Sequence, residues 1–347
     1  MITTMNWPRC FSHLHPESTG FIKKIGILGA GNVVRNKIIP ALEANSHLLE
    51  DVIVCSLEAP SQVTWIPYRY LPIENGGLLP LDRLAEIRFL TNTLWIIATP
   101  SQYHVHYAIQ LAGLCKVAIE KPIASSARQA RLLRPFASQI YTIDHKIFNA
   151  SPLSLIRRLR HNPSQMEAVD RVEGVFYETD GITRGRQADD TIADIQYHLL
   201  AVLQAVLKIS DTSFEVKIDK VLTSKYRQDS EVPFQDPSVC TSSLITGLVH
   251  WNGRHIHLNL RQAKGAPVNQ KFIRFFDTSD QLIEEVDMNE SGSHAHARIV
   301  GSLLQPVIDM RHNYEDSISI MELLDVCKEL ANEQADYTFG RLPEFLK

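Results

Sequence analysis

The sequence predicts an α/β chain: a doubly wound parallel sheet, followed by an α+β domain with a large, mostly antiparallel open sheet. In the first half, short apolar runs alternate with stretches of helical spacing, most clearly the strand pattern at 94–98, the helix pattern at 104–114 and the strand pattern at 117–119. Around and beyond a predicted helix at 189–208 the apolar period becomes two, and the strands predicted after that helix follow one another without intervening helices. A chain of 347 residues is long enough for two such domains.

Composition argues against several classes of function. A net charge of -4, with 44% hydrophobic and 21% charged residues, gives no reason to expect nucleic acid or an anionic membrane as a partner. No apolar run approaches the roughly 20 residues that a transmembrane helix needs. The five cysteines are scattered, without a C-x-x-C pair, which favours buried thiols in a reducing compartment. We therefore expect a cytoplasmic protein.

Four segments are predicted along the chain. Residues 1–20 lack periodicity and the apolar core of a signal peptide, so they predict a disordered extension. Residues 21–148 carry the parallel-sheet pattern and residues 149–335 the second, α+β pattern. Residues 336–347 form a C-terminal tail.

A glycine-rich turn follows the first predicted strand. Gly29 permits a tight turn, and Gly31 lets the backbone approach a pyrophosphate at the start of a helix near Val33. Val34 stands where the third glycine of G-x-G-x-x-G is usual, so looser packing of helix on strand is expected. This arrangement predicts a dinucleotide-binding Rossmann domain. The residues predicted to contact its cofactor here are Gly29, Gly31, Asn32 and Val33.

The end of the second predicted strand, 51–55, bears on the choice of cofactor. A carboxylate there would accept hydrogen bonds from the ribose of NAD, but this chain has Ser56, with Glu58 two residues later. Loss of the carboxylate favours NADP, yet no arginine follows before Arg69. Ser56 is a predicted cofactor contact, and the choice between NAD and NADP stays open.

The next strands end in residues suited to chemistry. The strand at 94–98 is followed by Thr99-Pro100 and then His104, and the strand at 117–119 by Glu120-Lys121-Pro122. Ligands of open parallel sheets bind outside the carboxyl ends of the strands. A lysine held there, stiffened by the following proline, is placed for catalysis.

This ordered block resembles the glucose–fructose oxidoreductase/inositol dehydrogenase (Gfo/Idh/MocA) family. The resemblance extends over about residues 21–335, with its most specific motifs before Phe148. It implies a bound NAD or NADP, with Lys121 beside the nicotinamide and the substrate hydroxyl and His104 near the nicotinamide ribose. In that family the second-domain sheet often forms a subunit interface. The resemblance therefore implies that residues 149–335 serve substrate binding and oligomerisation, as a homodimer or homotetramer. The further implied cofactor contacts are Thr99, Pro100, His104, Glu120 and Lys121.

A second, shorter resemblance is to glucose-6-phosphate dehydrogenases. The strand at 140–143 leads into Asp144-His145, similar to their Ile-Asp-His, and Tyr197-His198-Leu199-Leu200-Ala201 is similar to their Asn-His-Leu-Leu-Gln. The resemblance implies that His145 holds a sugar phosphate and that Asp144 orients a catalytic histidine. The four-residue spacing from Asp194 to His198 instead matches Gfo/Idh/MocA proteins. We also expect Tyr197 to contact the substrate.

Elementary chemistry gives His198 a role. Residues 189–208 predict one helix, in which Asp194 and His198 are i and i+4 and meet on one face. A carboxylate beside the imidazole raises its basicity and fixes its tautomer, as a base with a near-neutral pKa requires. Lys121 would stabilise a developing alkoxide. The alternative is that His198 is an ordinary histidine of an amphipathic helix.

Two other features remain. The loop at 181–186 carries Arg184 and Arg186, which either bind an anionic substrate group or are simply solvated. The H-x-H pairs at His104, His255 and His294 have no neighbouring set of ligands, so we expect no metal.

The leading hypothesis is an NAD(P)-dependent dehydrogenase or reductase acting on the CH–OH group of a sugar, a sugar phosphate or a cyclitol. Lys121 and His198 would handle the proton, with Asp194 and Asp144 orienting them. One alternative is reduction of an imine or another double bond on the same scaffold. The other is a non-catalytic, cofactor-bound sensor, which the presence of both Lys121 and His198 disfavours.

Overall fold

A computed structural model describes most of the chain. The described residues are 22–57, 68–73, 78–179, 192–209, 214–224, 226–227, 241–290, 292–304, 314–333, 337–338 and 341–347. The predicted extension at 1–20, Glu58 and the loop with Arg184 and Arg186 lie outside these ranges. No helix of the described part combines the length and apolar character needed to cross a membrane.

The first sheet of the described chain has six strands, all paired in parallel, in the order β3-β2-β1-β4-β5-β6. Strands β1, β2, β4 and β5 are almost wholly buried, which explains their uninterrupted apolar sequences. This strand order is that of a doubly wound dinucleotide-binding sheet, and it confirms the predicted fold. The strands are β1 Lys24–Leu28, β2 Asp51–Ser56, β3 Arg69–Pro72, β4 Thr93–Ile97, β5 Lys116–Glu120 and β6 Ile140–Ile143.

Helices connect these strands. They are α1 Ile39–Ala44, α2 Leu81–Glu86, α3 Ser101–Ala112 and α4 Ala127–Ala130, with 3-10 turns at Ser46–Leu48 and Arg131–Gln139. A close contact fixes the centre of the sheet: a Cβ on Gly26 would lie 2.4 Å from the Trp95 ring, so only glycine fits there. Trp95 is fully buried and donates its indole N–H to the Phe89 carbonyl at 3.1 Å.

The second sheet has seven described strands in the order β13-β12-β7-β11-β10-β8-β14. Its pairings are antiparallel except those of β7 with β11 and β8 with β14, so the predicted mostly antiparallel sheet is confirmed. Asn252 and Gly253 form the predicted hairpin turn, with φ of 48° and 73°. The strands are β7 Arg171–Glu178, β8 Glu215–Ser224, β9 Tyr226–Arg227, β10 Ser242–Trp251, β11 Arg254–Lys264, β12 Gln270–Phe276, β13 Leu282–Asp287, β14 Ala331–Glu333 and β15 Tyr337–Thr338, of which β9 pairs with β15.

Helices of the second half join the two sheets. Asn45, after α1, donates to the Ala297 carbonyl at 2.9 Å, and Asp325 accepts the Ala127 backbone N–H at 3.0 Å. The C-terminal helices therefore return to the first sheet, as the sequence predicts. The helices are α5 Ala150–His161, α6 Tyr197–Leu207, α7 Gly292–Leu304 and α8 Tyr314–Glu329, with 3-10 turns at Pro163–Met166 and Glu344–Leu346.

Two predicted helices begin differently from expectation. The helix after the glycine turn starts as a π-helix, Val34–Ile38, and only then becomes α1. Val34, which replaces the usual glycine, is buried in this wider turn. The helix predicted at 189–208 likewise has a π-helical segment, Ile192–Gln196, before α6. Single π-helical turns occur frequently at functional sites.

Candidate active site

The glycine turn has the geometry that a dinucleotide needs. Gly29 has a φ of 105°, and a Cβ there would lie 2.8 Å from the Ala98 carbonyl oxygen, so the tight turn requires glycine. Gly31 is exposed, and a Cβ there would meet nothing within 4 Å. Asn32 is exposed and Val33 half-buried at the start of the helix. The backbone is thus open to an anionic group at a helix N-terminus.

Other predicted cofactor contacts line the same carboxyl edge. Ser56 ends β2, is buried, and accepts the Tyr70 hydroxyl on its carbonyl at 3.2 Å. Pro100 is exposed just before α3. The Thr99 hydroxyl oxygen is buried and has no hydrogen-bond partner among the described residues. An unpaired hydroxyl at this edge fits a site that a ligand completes.

His104 braces the ends of two strands. Its ring is 2% exposed; Nδ1 lies 2.8 Å from the Pro122 carbonyl oxygen and Nε2 lies 2.6 Å from that of Thr99. The side chain therefore ties the end of β4 to the end of β5. The prediction that His104 lies near the nicotinamide ribose stays a prediction.

Lys121 reaches from the first sheet to the second half of the chain. It follows β5, with a cis peptide bond to Pro122. Its Nζ donates to the Asp194 carbonyl oxygen at 2.6 Å and to Asp194 Oδ1 at 2.5 Å. Asp194 lies within the π-helix Ile192–Gln196, and its main-chain carbonyl accepts this lysine.

The Asp194 carboxylate lies between two lysines. Oδ1 accepts Lys121, and Oδ2 accepts Lys264 Nζ at 2.6 Å. Lys264 is buried at the end of β11. The predicted partner of Asp194 was His198, in an i, i+4 pair of one α-helix. The π-helical turn alters that spacing, and the carboxylate holds two ammonium groups.

Asp144 is hydrogen-bonded to His198, the histidine that the resemblance to glucose-6-phosphate dehydrogenases implies it orients. Its Oδ1 lies 2.8 Å from His198 Nδ1 and also accepts the Lys146 backbone N–H at 2.9 Å. Asp144 is fully buried and His198 is 5% exposed. Because a carboxylate accepts only, Nδ1 carries the proton and Nε2 carries the lone pair.

The charge state of His198 also differs from expectation. Burial lowers its pKa well below the usual value, and the ammonium groups of Lys121 and Lys146 lower that pKa further. Asp194 acts in the opposite direction but does not prevail. The expectation of a near-neutral pKa is therefore wrong, because burial and three nearby ammonium groups lower the pKa of this ring. At neutral pH the imidazole is uncharged.

Histidine rings form a stack beside this pair. His145 contacts His198 edge-on at a centroid distance of 4.8 Å and stacks on His296 at 5.1 Å. Burial lowers the pKa of His145 well below its usual value, with His198 and Lys146 adding to the effect. His296 is held by Glu120, whose Oε1 lies 3.1 Å from Nε2. Sequence reasoning missed His296, because its H-x-H spacing carries no signal until α7 packs against β5.

Sequence reasoning also missed the two lysines, Lys146 and Lys271, that lie over the Phe176 ring. Phe176, on β7, stacks parallel to His198 at 5.6 Å. Lys146 Nζ lies 5.6 Å and Lys271 Nζ 4.7 Å from the centroid of the Phe176 ring. Lys271 pairs with Glu178 at 2.7 Å. Lys146 directly follows the predicted Asp144-His145, so its position was a usable signal, whereas Lys271 comes from a distant strand.

Tyr197 does not face the site. It is fully buried, and burial raises the pKa of its hydroxyl far above the usual range, with Thr142 and Ser317 beside it. Thr142 is on β6 and Ser317 on α8. The prediction of substrate contact is wrong, because residues adjacent in a helix point about 100° apart and His198 takes the site-facing direction.

Asp144, His145 and His198 offer three possible metal-ligand atoms within 4.8 Å of one another. In this structure Asp144 and His198 are hydrogen-bonded to each other, and Lys121 and Lys146 place positive charge nearby. The expectation that the protein carries no metal stays a prediction.

Solved structures share this architecture. The chain is similar to a glucose-6-phosphate 1-dehydrogenase from Mycobacterium avium, with a TM-score of 0.70 at 17% identity over 94% of this chain and 96% of that one. It is similar to a myo-inositol dehydrogenase from Corynebacterium glutamicum, with a TM-score of 0.66 at 14% identity over 89% and 96%. A third is the WlbA dehydrogenase from Bordetella pertussis in complex with NADH and UDP-GlcNAcA, with a TM-score of 0.66 at 12% identity over 88% and 94%.

These likenesses confirm the fold that the family resemblance implies, including the pairing of a Rossmann sheet with an open second sheet. The sequence itself matches no protein-family model. It also matches no curated protein. Activity is therefore argued from the residues of the site.

Proposed function

We propose that the protein is an NAD(P)-dependent oxidoreductase that transfers hydride between nicotinamide and the CH–OH carbon of a sugar, sugar phosphate or cyclitol. The observation that carries the proposal is the meeting of Asp144–His198 with Asp194–Lys121 at the carboxyl edge of a doubly wound sheet. Proteins of similar fold are dehydrogenases of such compounds, one bound to NADH. NAD and NADP are equally compatible with Ser56.

The residues that would hold the cofactor are those of the carboxyl edge. The open backbone at Gly31 and the following helix start accept a pyrophosphate, and the buried Thr99 hydroxyl offers an unused hydrogen bond. The nicotinamide ring of a bound cofactor supplies the hydride acceptor or donor. Glu120 and Lys121 come next along the same edge, at the end of β5.

The chain's own residues handle the proton. In the oxidation direction, the substrate hydroxyl gives its proton to His198 Nε2, and the electron pair of its C–H bond leaves as hydride, so a carbonyl remains. His198 Nδ1 keeps its proton and its bond to Asp144, which stabilises the imidazolium. The Lys121 ammonium group stabilises negative charge that develops on the substrate oxygen. Reduction follows the same steps in reverse.

Turnover tests this proposal directly. Purified protein is mixed with NAD or NADP and with sugars, sugar 6-phosphates and inositols, and the reduced-nicotinamide absorbance is followed. We expect turnover with at least one member, and a loss of about 10²- to 10³-fold in kcat for Lys121→Met. Lys208→Met is the control, because Lys208 pairs with Asp316 at the far end of α6. Tight cofactor binding without any turnover would refute the assignment.

We also propose that the protein forms a homodimer or homotetramer through the open face of the second sheet. This face carries half-buried or exposed residues at alternate positions of β10 and β11, such as Leu244, Leu248, His255 and His257. Light scattering after size exclusion measures the mass. A monomer at micromolar concentration would refute the proposal.

A further inference from the structure

The His296 ring contacts the ends of two neighbouring strands of the first sheet. It is 3% exposed on α7, and its Nε2 lies 3.1 Å from Oε1 of Glu120, the last residue of β5. One face of the ring stacks on His145, two residues beyond β6, at a centroid distance of 5.1 Å. Glu120 directly precedes Lys121, and His145 contacts His198 edge-on. One buried ring therefore touches a neighbour of each group that handles the proton.

Both nitrogens of the His296 ring face acceptors. Nδ1 lies 2.6 Å from the carbonyl oxygen of Gly292, and Nε2 faces the Glu120 carboxylate. Because a carbonyl oxygen only accepts, Nδ1 carries a proton, and a second proton lies between Nε2 and Oε1 of Glu120. Such a charge-assisted hydrogen bond is about twice as strong as a neutral one. The ring cannot rotate without losing both bonds, so its orientation is fixed.

The helix that carries His296 is itself fixed on both sides. The carbonyl oxygen of the next residue, Ala297, accepts Asn45 Nδ2 at 2.9 Å, which ties α7 to the end of α1. Arg298 donates to the Phe148 carbonyl oxygen at 2.7 Å, which ties α7 to the segment after β6. A side chain on a rigid element, with both of its polar atoms bonded, has what a positioning residue requires.

We propose that His296 is a positioning residue of this active site: it sets the separation of Lys121 and His198 by holding Glu120 through one nitrogen and His145 through one face. The inference rests on the proposed function, in which Lys121 and His198 act on the same substrate oxygen. Their separation must then match that single atom, and a displacement of about 1 Å costs about 10²-fold in rate.

Two substitutions separate the hydrogen bond from the ring contact. His296→Gln places an amide N–H near the position of Nε2, so it keeps a donor for Glu120 but removes the ring that stacks on His145. His296→Phe keeps a ring and loses both hydrogen bonds. We expect kcat to fall about 10-fold in His296→Gln and about 100-fold in His296→Phe, with the Kd of the cofactor within about two-fold of the wild-type value. Steady-state kinetics and calorimetric titration measure these quantities, and wild-type kcat in both variants would refute the inference.

The solvent deuterium isotope effect on kcat distinguishes positioning from general damage. A misplaced base slows proton transfer relative to the other steps, so the isotope effect should be larger in both variants than in the wild type. A smaller fraction of folded protein would lower kcat and leave the isotope effect unchanged, which would contradict a positioning role. His294→Gln is the matched control, because His294 lies on the same helix, is 74% exposed and has the Glu290 carboxylate 3.9 Å away. This control should keep the wild-type kcat and isotope effect.

A measurement without turnover keeps the inference separate from the proposed function. In protein labelled with nitrogen-15 in its histidine rings, the Nδ1–H proton of His198 gives its own signal, because Nδ1 lies 2.8 Å from Asp144 Oδ1. We expect this signal to move in His296→Gln and His296→Phe and to stay in place in His294→Gln. A signal that stays in place in all three variants refutes the inference, whatever the kinetics. If the signal moves and no sugar or cyclitol is turned over, the proposed function fails, and the positioning of His198 by His296 is kept.

Discussion

Two carboxylates of the site hold two kinds of partner. Asp144 binds one imidazole, which burial keeps uncharged at neutral pH. Asp194 binds two ammonium groups, those of Lys121 and Lys264. In the first pair a proton can arrive at Nε2 and be stabilised by the carboxylate. In the second, opposite charges are already matched and nothing needs to move.

The difference assigns the two halves of the site to different tasks. The Asp144–His198 pair is suited to proton transfer, since its charge changes during the reaction. The Asp194 network is suited to holding Lys121 in place. Lys121 extends from the end of β5, and Asp194 holds it from the π-helical segment Ile192–Gln196. The two tasks can therefore be told apart by measuring, for a variant of each carboxylate, both kcat and the free energy of unfolding.

The largest effect should come from the proton-transfer pair. His198→Asn removes the base, and we expect kcat to fall about 10²- to 10⁴-fold, with cofactor affinity little changed. Asp144→Asn should approach the same loss, because an amide in place of the carboxylate no longer fixes the Nδ1–H tautomer. Steady-state kinetics with cofactor titration measures both. Full turnover in His198→Asn would remove that residue from the mechanism.

The Asp194 network should instead dominate stability. Asp194→Asn leaves Lys121 and Lys264 without a carboxylate in a largely buried place, so we expect a loss of about 3 kcal/mol in the free energy of unfolding. Asp144→Asn leaves an uncharged ring and should lose only about 1–2 kcal/mol. Denaturant unfolding of the two variants side by side gives the comparison. Equal losses would mean that the two carboxylates are not functionally distinct.

Sequence patterns were most informative where a feature depends on neighbours along the chain. The apolar runs of β1, β4 and β5 predict the parallel sheet, and the glycine turn and Lys121 lie at its carboxyl edge as expected. The hairpin turn at Asn252 and Gly253 could be predicted because it depends only on the positive φ angles that these two residue types adopt readily. Local patterns of this kind depend on properties that the sequence states directly.

Features that depend on distant segments were not predictable. Lys264, Lys271 and His296 come from two strands and a helix far along the chain, and only the packing of the second half brings them to the site. Asp194 lies in a π-helical turn that no sequence pattern indicates, and its carboxylate holds Lys121 and Lys264. Tyr197 faces away for the same reason that His198 faces the site: one helix position separates them.

The smallest expected effect is on the pH dependence of stability, which tests whether the imidazole of the Asp144–His198 pair is uncharged in the folded protein. His198 and His145 have pKa values lowered in the folded protein, so below their ordinary value of about 6.5 the unfolded chain binds more protons than the folded one. Stability should therefore be unaffected by these rings above about pH 6.5 and should fall as pH falls below it. Activity depends instead on the folded ring, so kcat/KM for alcohol oxidation should stay constant through about pH 6.5 and fall only well below it, where the folded His198 takes up a proton.

The variant His198→Asn tests the attribution. It removes one of the two rings, so the acid-side slope of unfolding free energy against pH should become shallower by up to about 1.4 kcal/mol per pH unit. Lys208→Met, in the Lys208–Asp316 pair, should keep the wild-type slope. An unchanged slope in His198→Asn would mean that the ring is already protonated in the folded protein. The Asp144 pair would then be charged like that of Asp194, and the separation of the two tasks would fail.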